Sequence, residues 1–357
     1  MKEMFIIDAH LDIAYNALNH GRSPLQPVAA TRQQEAADGE RGQATVSFPD
    51  MRQGGVGLIF GTLFVTPGHA KIPTLADKMV YHNADEAFGY GMKQLDYYHR
   101  LVDENQSLRL VTDQAALDEV LASHKDDNPA PLLGITPLME GADPIREPEE
   151  AELWYERGLR LIGLAWDDTR YATGGWTRTD DGLTQEGYHL LEVMADLGFV
   201  LDLTHMSEKS TIEALERYEG VVVATHSNCR ALVPGTRQLS DTQIRLLGER
   251  EGVIGTVLYN AFLQPGWRKG DRKEAVTLDH VVANIDHVCQ VLGSARYVGI
   301  GSDLDGGFGA EHIPAGLDSI ADLGKIGDAL LARGYDPADV EGIMGGNWLR
   351  ILRRALP

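Results

Sequence analysis

Phe199-Val200-Leu201-Asp202-Leu203-Thr204-His205 and Val221-Val222-Val223-Ala224-Thr225-His226 are two short apolar runs that each pass through threonine to a histidine. Between them Ser207-Glu208-Lys209-Ser210 opens a segment with the polar start of an amphipathic helix. Runs this short and apolar read as strands buried on both faces, the mark of a parallel sheet. Strand, helix and strand in that order form one crossover unit.

On either side the unit repeats. Further runs stand at Phe5-Ile6-Ile7, Gly57-Leu58-Ile59-Phe60, Leu132-Leu133-Gly134-Ile135, Leu159 to Leu164, Val253-Ile254-Gly255-Thr256-Val257 and Tyr297-Val298-Gly299-Ile300. Helical spacing fills the gaps at Asp77 to Asp103, Glu149 to Arg157, Thr184 to Leu197, after Ser240, and at Thr277 to Leu292. Eight alternations predict an α/β chain folded as a (β/α)8 TIM barrel. The rival is an open doubly wound sheet. Its dinucleotide fingerprint fails, because Gly299-Ile300-Gly301 is followed by Leu304 where a third glycine should stand. One domain over residues 1–357 is expected, with an excursion at about 21–42 and a closing helix at about 336–357. The excursion reads as a lid or a plain surface loop.

The 357 residues carry 32 Lys plus Arg against 53 Asp plus Glu, a net charge of −21. Nucleic-acid binding needs a basic footprint, so that class is excluded. With 43% hydrophobic and 24% charged residues the chain is an ordinary globular one, not a disordered one. Two cysteines, Cys229 and Cys289, build no disulfide framework. Met4 to Ile7 is too short for a signal sequence, and no run approaches the roughly 18 apolar residues of a membrane span. The expectation is a cytoplasmic protein without a membrane or nucleic-acid partner. A homodimer is allowed.

Barrel enzymes gather catalytic groups where strands end. The first strand runs into Asp8-Ala9-His10-Leu11-Asp12, where His10 and Asp12, two apart, share a face. The third ends at Glu140-Gly141; a carboxylate after so apolar a run needs a cationic partner, and an arginine salt bridge is the plain reading. The fifth and sixth lead to His205 and His226, and the eighth to Ser302-Asp303-Leu304-Asp305. Singly, each is ordinary. Three imidazoles and three carboxylates at one mouth repel and compete unless divalent cations resolve the conflict. The mixed nitrogen and oxygen set suits zinc, with manganese or cobalt as substitutes. Five ligands with one shared carboxylate suit two ions about 3.5–4 Å apart.

These segments resemble the membrane (renal) dipeptidase family of zinc peptidases, a branch of the amidohydrolase-like barrels. The resemblance runs through Asp8 to Asp12, Glu140-Gly141, Gly182-Leu183-Thr184, Leu201 to Ser207, Thr225 to Asn228, Val298 to Gly306 and Gly345 to Arg350. It implies that His10 and Asp12 hold one zinc, that His205 and His226 hold the other, and that Glu140 bridges them. It makes Asp303 the acid/base carboxylate beside a metal-bridging water. It makes Arg237 the residue that binds the substrate's terminal carboxylate, ahead of Arg230. Where relatives place a substrate-contacting histidine near the end of the fourth strand, this chain has Trp166, read here as an apolar wall at the substrate.

The expectation is therefore a zinc-dependent dipeptidase, and the resemblance allows either hand at the second residue. An N-acyl-amino-acid deacylase or a lactonase on the same site is the nearest alternative. A non-catalytic metal- or ligand-binding protein is the remoter one, and Asp303 speaks against it.

Overall fold

Eight parallel strands carry the chain around a common axis: β1 (Ile6–Leu11), β2 (Val56–Phe64), β3 (Leu133–Glu140), β4 (Leu161–Gly163), β5 (Val200–Asp202), β6 (Val221–Val223), β7 (Ile254–Thr256) and β8 (Val298–Ile300). The computed structural model describes residues 4–35, 42–69, 78–125, 128, 130–176 and 179–357. The strands run in the order β7-β8-β1-β2-β3-β4-β5-β6. A single parallel bridge, Ala224 to Ile254, joins the two ends. The result is a nearly closed (β/α)8 barrel, as the alternation predicts.

All eight expected strands are present. The helices start where short hydroxyl side chains cap them: Thr184 accepts from the Gly187 N–H, Ser207 from Ser210, and Ser240 forms a capping box with Gln243. Three expectations need correction. The helix read from Asp77 covers Ala84–Glu104 with Asn83 as its cap; Val80–Tyr81 is a short strand, and Asp77 lies outside the described residues. The excursion contains a helix, Val28–Glu35, although 36–41 lie outside the described residues. The closing segment is broken, with a π turn at Gly342–Gly346 between Pro337–Glu341 and Asn347–Ala355.

Alternate residues of β2 mark depth along the axis. Phe60 meets Trp348 at 5.4 Å, Thr62 lies 3.5 Å from His10, and Phe64 meets Trp166 at 5.1 Å. Below, Ile7, Ala9, Leu58, Leu138, Leu161, Val200 and Val223 fill the interior and continue into Trp348, Ile351 and Leu352 of the last helix. The chain's end thus plugs the floor. Above it the interior turns polar. Strands converge there: a Cβ on Gly255 or Gly301 would stand 1.8 or 1.7 Å from the Thr225 carbonyl, so neither position admits a side chain.

Candidate metal centre

His10 lies within β1 and Glu140 ends β3, while Asp12 follows β1 directly. His205, His226 and Asp303 stand three residues beyond β5, β6 and β8, slightly further than the sequence reading placed them. Among the described residues four non-glycine positions have left-handed φ, and three are His205 (68°), Asp303 (58°) and Asp305 (64°). Such backbone is costly for a side chain and concentrates at functional sites.

The six side chains come together. Glu140 presents Oε1 to His205 Nε2 (3.0 Å) and His226 Nε2 (3.2 Å), and Oε2 to His10 Nε2 (3.6 Å). Among the described residues no arginine pairs with this carboxylate; its partners are imidazoles. The candidate ligand atoms of His10, Glu140 and His226 all lie within 4.8 Å of one another, and so do those of His10, Asp12 and Asp303. His10 Nδ1 and Asp12 Oδ1 are buried without a hydrogen-bond partner. Two overlapping groups of donors, all buried except the half-buried Asp303 and with orphaned lone-pair atoms among them, fit divalent cations.

The charges show the same strain. Burial disfavours a charged His10, yet Glu140, Asp12 and Asp303 outweigh it and raise its pKa to about 10. Burial and then Glu140 lift Asp12 to about 7. Burial drives Asp303 well above the usual carboxylate range, with Asp12 and Glu140 adding to it. Burial and Arg237 lower His205 to about 4, and burial and His10 hold His226 well below the usual imidazole range. One imidazole is thereby cationic and two are held neutral, the form in which histidine ligates.

Two residues that sequence reading passed over orient this cluster. Asp202 Oδ1 accepts the backbone N–H groups of Thr204 (3.1 Å) and Thr225 (2.9 Å), and its Oδ2 accepts the Thr225 hydroxyl. The Thr225 oxygen is then left to accept from His226 Nδ1 at 3.0 Å. That fixes the proton on Nδ1 and leaves Nε2 free toward Glu140. Asp8 does the equivalent between β1 and β8, accepting the Ser302 N–H at 2.8 Å and its hydroxyl. A carboxylate set among strand residues at 8 and 202 was the available signal. Gly306 matters too: a Cβ there would lie 1.9 Å from Asp303 Oδ1.

The two arginines separate cleanly. Arg230 is spent on Glu208, the Gln238 carbonyl and Gln243. Arg237 is buried at the cluster, donating to the His226 carbonyl at 2.9 Å, with Nη2 3.1 Å from His205 Nε2 and its Nε without a partner. Burial lowers its pKa to about 10. Trp166 is half-buried at the mouth, its ring 5.9 Å from His205. The excursion reaches the same end of the barrel, where Arg22 pairs with Glu35 at 2.7 Å and with Asp305 at 3.3 Å.

A family model described as membrane dipeptidase (peptidase family M19) matches residues 1–356. The dipeptidase aclJ of Aspergillus oryzae is 27% identical over 313 residues, which cover 86% of this chain and 69% of that one. Among solved structures, the dipeptidase AC, a family M19 metallopeptidase, superposes with a TM-score of 0.81 at 26% identity over 99% of both chains. A metallopeptidase from Rhodobacter sphaeroides, liganded with a phosphinate mimic of the dipeptide L-Ala-D-Ala, shares the fold at TM-score 0.80 and 24% identity, again over 99% of both.

Proposed function

Because the chain belongs to the membrane dipeptidase family, peptidase family M19, it is a metal-dependent dipeptidase, and we propose that its cluster holds two zinc ions. In this reading His10 and Asp12 hold one, His205 and His226 the other, and Glu140 serves both. The observation that carries it is the division of Glu140, one oxygen toward His205 and His226 and the other toward His10. When bound, such a pair of ions acidifies a water for attack on the peptide carbonyl and polarises the carbonyl oxygen.

The protein's own side chains do the rest. Asp303, whose burial raises its affinity for a proton, would accept one as the ionised carboxylate from the attacking water and deliver it to the leaving amine. The C–N bond breaks as the C–O bond forms, and both products are free amino acids. Arg237 is a buried cation with an unpartnered Nε, suited to the substrate's terminal carboxylate through a paired contact. Because it reads the carboxylate, either hand at the second residue is accommodated. Trp166, its ring 5.1 Å from that of Phe64 and tilted against it, supplies an apolar wall. Manganese and cobalt suit the same donors as substitutes. We place the protein in the cytoplasm. Both cysteines are free thiols, and no described helix is long and apolar enough to cross a membrane.

The family match and the dipeptidase relatives leave the deacylase and lactonase readings without support of their own. The test compares metal-loaded protein on a dipeptide panel, N-acyl amino acids and lactones, with metal content measured alongside. Dipeptides should be cleaved in preference, with up to two equivalents of zinc bound. Glu140→Gln should lose both ions together. Full hydrolysis after exhaustive chelation, or loss of only one ion from the variant, overturns the proposal.

A further inference from the structure

A dipeptide has two side chains, and the mouth carries two separate aromatic pairs. Phe64 and Trp166 come from the ends of β2 and β4. Trp176 and Phe262 stand 6.0 Å apart, on the segments that follow β4 and β7. Trp176 is nevertheless held on the β5–β6 arc. The Gly175 N–H donates to the His205 carbonyl at 2.6 Å, the Thr236 hydroxyl donates to the Gly175 carbonyl, and Gly174 bridges Met206. The two pairs flank His205, whose ring lies 5.9 Å from Trp166 and 6.2 Å from Trp176.

Trp176 is 49% exposed, the most open large apolar side chain among the described residues. It is not loose. Besides the anchors of its backbone, its indole nitrogen lies 3.2 Å from His205 Nδ1. A bare indole fixed in place is a surface prepared for an apolar partner. Its neighbour Phe262 lies under the Arg237 guanidinium, 5.3 Å from ring centroid to carbon. If Arg237 grips the terminal carboxylate, the α-carbon bonded to that carboxylate stands directly beside it. The Phe262 and Trp176 rings are then the apolar surface next to the side chain on that carbon.

We propose that Trp176, with Phe262 behind it, reads the side chain of the dipeptide's C-terminal residue and favours apolar and aromatic ones over glycine and acidic ones. This rests on the assignment of Arg237 above. Neither ring offers a charge, and the cluster beside them already crowds three carboxylates, so among the described residues an acidic C-terminal side chain meets only Arg237, which the terminal carboxylate occupies. The contact is made equally in the ground and transition states, so it acts on KM and leaves kcat nearly unchanged.

The test measures kcat and KM for two series, Ala-Gly, Ala-Leu, Ala-Phe and Ala-Asp against Gly-Ala, Leu-Ala and Phe-Ala. Trp176→Ala should raise KM for Ala-Leu and Ala-Phe about tenfold relative to Ala-Gly, what roughly 50–60 Å² of lost apolar contact is worth. The ranking in the second series should not move. Trp176→Phe keeps an apolar wall without the N–H, and should keep the wild-type ranking. Equal shifts in both series, no shift, loss of ranking in Trp176→Phe, or loss of bound zinc in proportion to rate would each overturn the proposal. Wild-type protein that cleaves no dipeptide at all would instead sink the underlying reading.

Discussion

Asp303 and His10 show how one crowded cluster asks opposite things of two ionisable groups. Asp303 is driven toward its protonated form by burial, and Gly306 leaves room for its carboxylate over the turn. Asp303→Asn should keep zinc content and KM while kcat falls about 10²–10⁴-fold, the usual contribution of a general acid–base residue. Retention of more than about a third of wild-type kcat would exclude it as the proton carrier. His10, at about 10, is cationic in the metal-free protein at pH 8, whereas a ligand must offer a neutral ring. Zinc binding should therefore release protons, and affinity should rise with pH toward about 10 and weaken further below about 7, where Asp12 also takes up a proton. Calorimetry in buffers of different ionisation enthalpy reads the proton count directly; binding without release would contradict a charged His10.

The elements explain what the sequence made legible. Eight apolar runs and their capped helices suffice for the barrel, because buried parallel strands and hydroxyl caps are local signals. His10, Asp12, Glu140, His205, His226 and Asp303 were readable because each follows such a run. Asp202 and Thr225 were not, since their role depends on two strand ends lying side by side, which β5 and β6 achieve only in the folded sheet. Trp176 was hidden for the same reason: it stands on a long connection and reaches His205 through a turn no periodicity announces. The preference for Arg237 over Arg230 came from the family resemblance, and the partners of the two side chains agree with it, since Arg230 is engaged by Glu208, Gln238 and Gln243. Thr225→Val keeps the shape but deprives His226 Nδ1 of its acceptor and Asp202 of a donor. Zinc affinity, measured by competition with a chelator, should drop about 10–100-fold. An unchanged affinity would mean that the orientation of His226 is set elsewhere.

At the scale of the whole molecule the two ends of the barrel divide the labour. The floor is closed by Trp348, fully buried, its indole N–H donating to the Ile300 carbonyl at 2.9 Å. Trp348→Ala should cost about 3–5 kcal/mol of stability, seen as a lower Tm, while kcat at temperatures where the variant stays folded remains near wild type. A proportional fall in kcat would show that floor and site are coupled. The pairing of β1 with β8, locked by Asp8 and Ser302 across 294 residues, carries a consequence for biosynthesis. At about 5–20 residues per second, the ribosome delivers Ser302 roughly 15–60 s after Asp8. Throughout that interval the nascent chain has one edge of β1 unpaired and holds His10 and Asp12 without Asp303. The cluster gains Asp303 only after every proposed metal ligand, the last of them His226, has been delivered, so the proton-carrying carboxylate is the late arrival and chaperone protection of the first strand is the need that this topology creates.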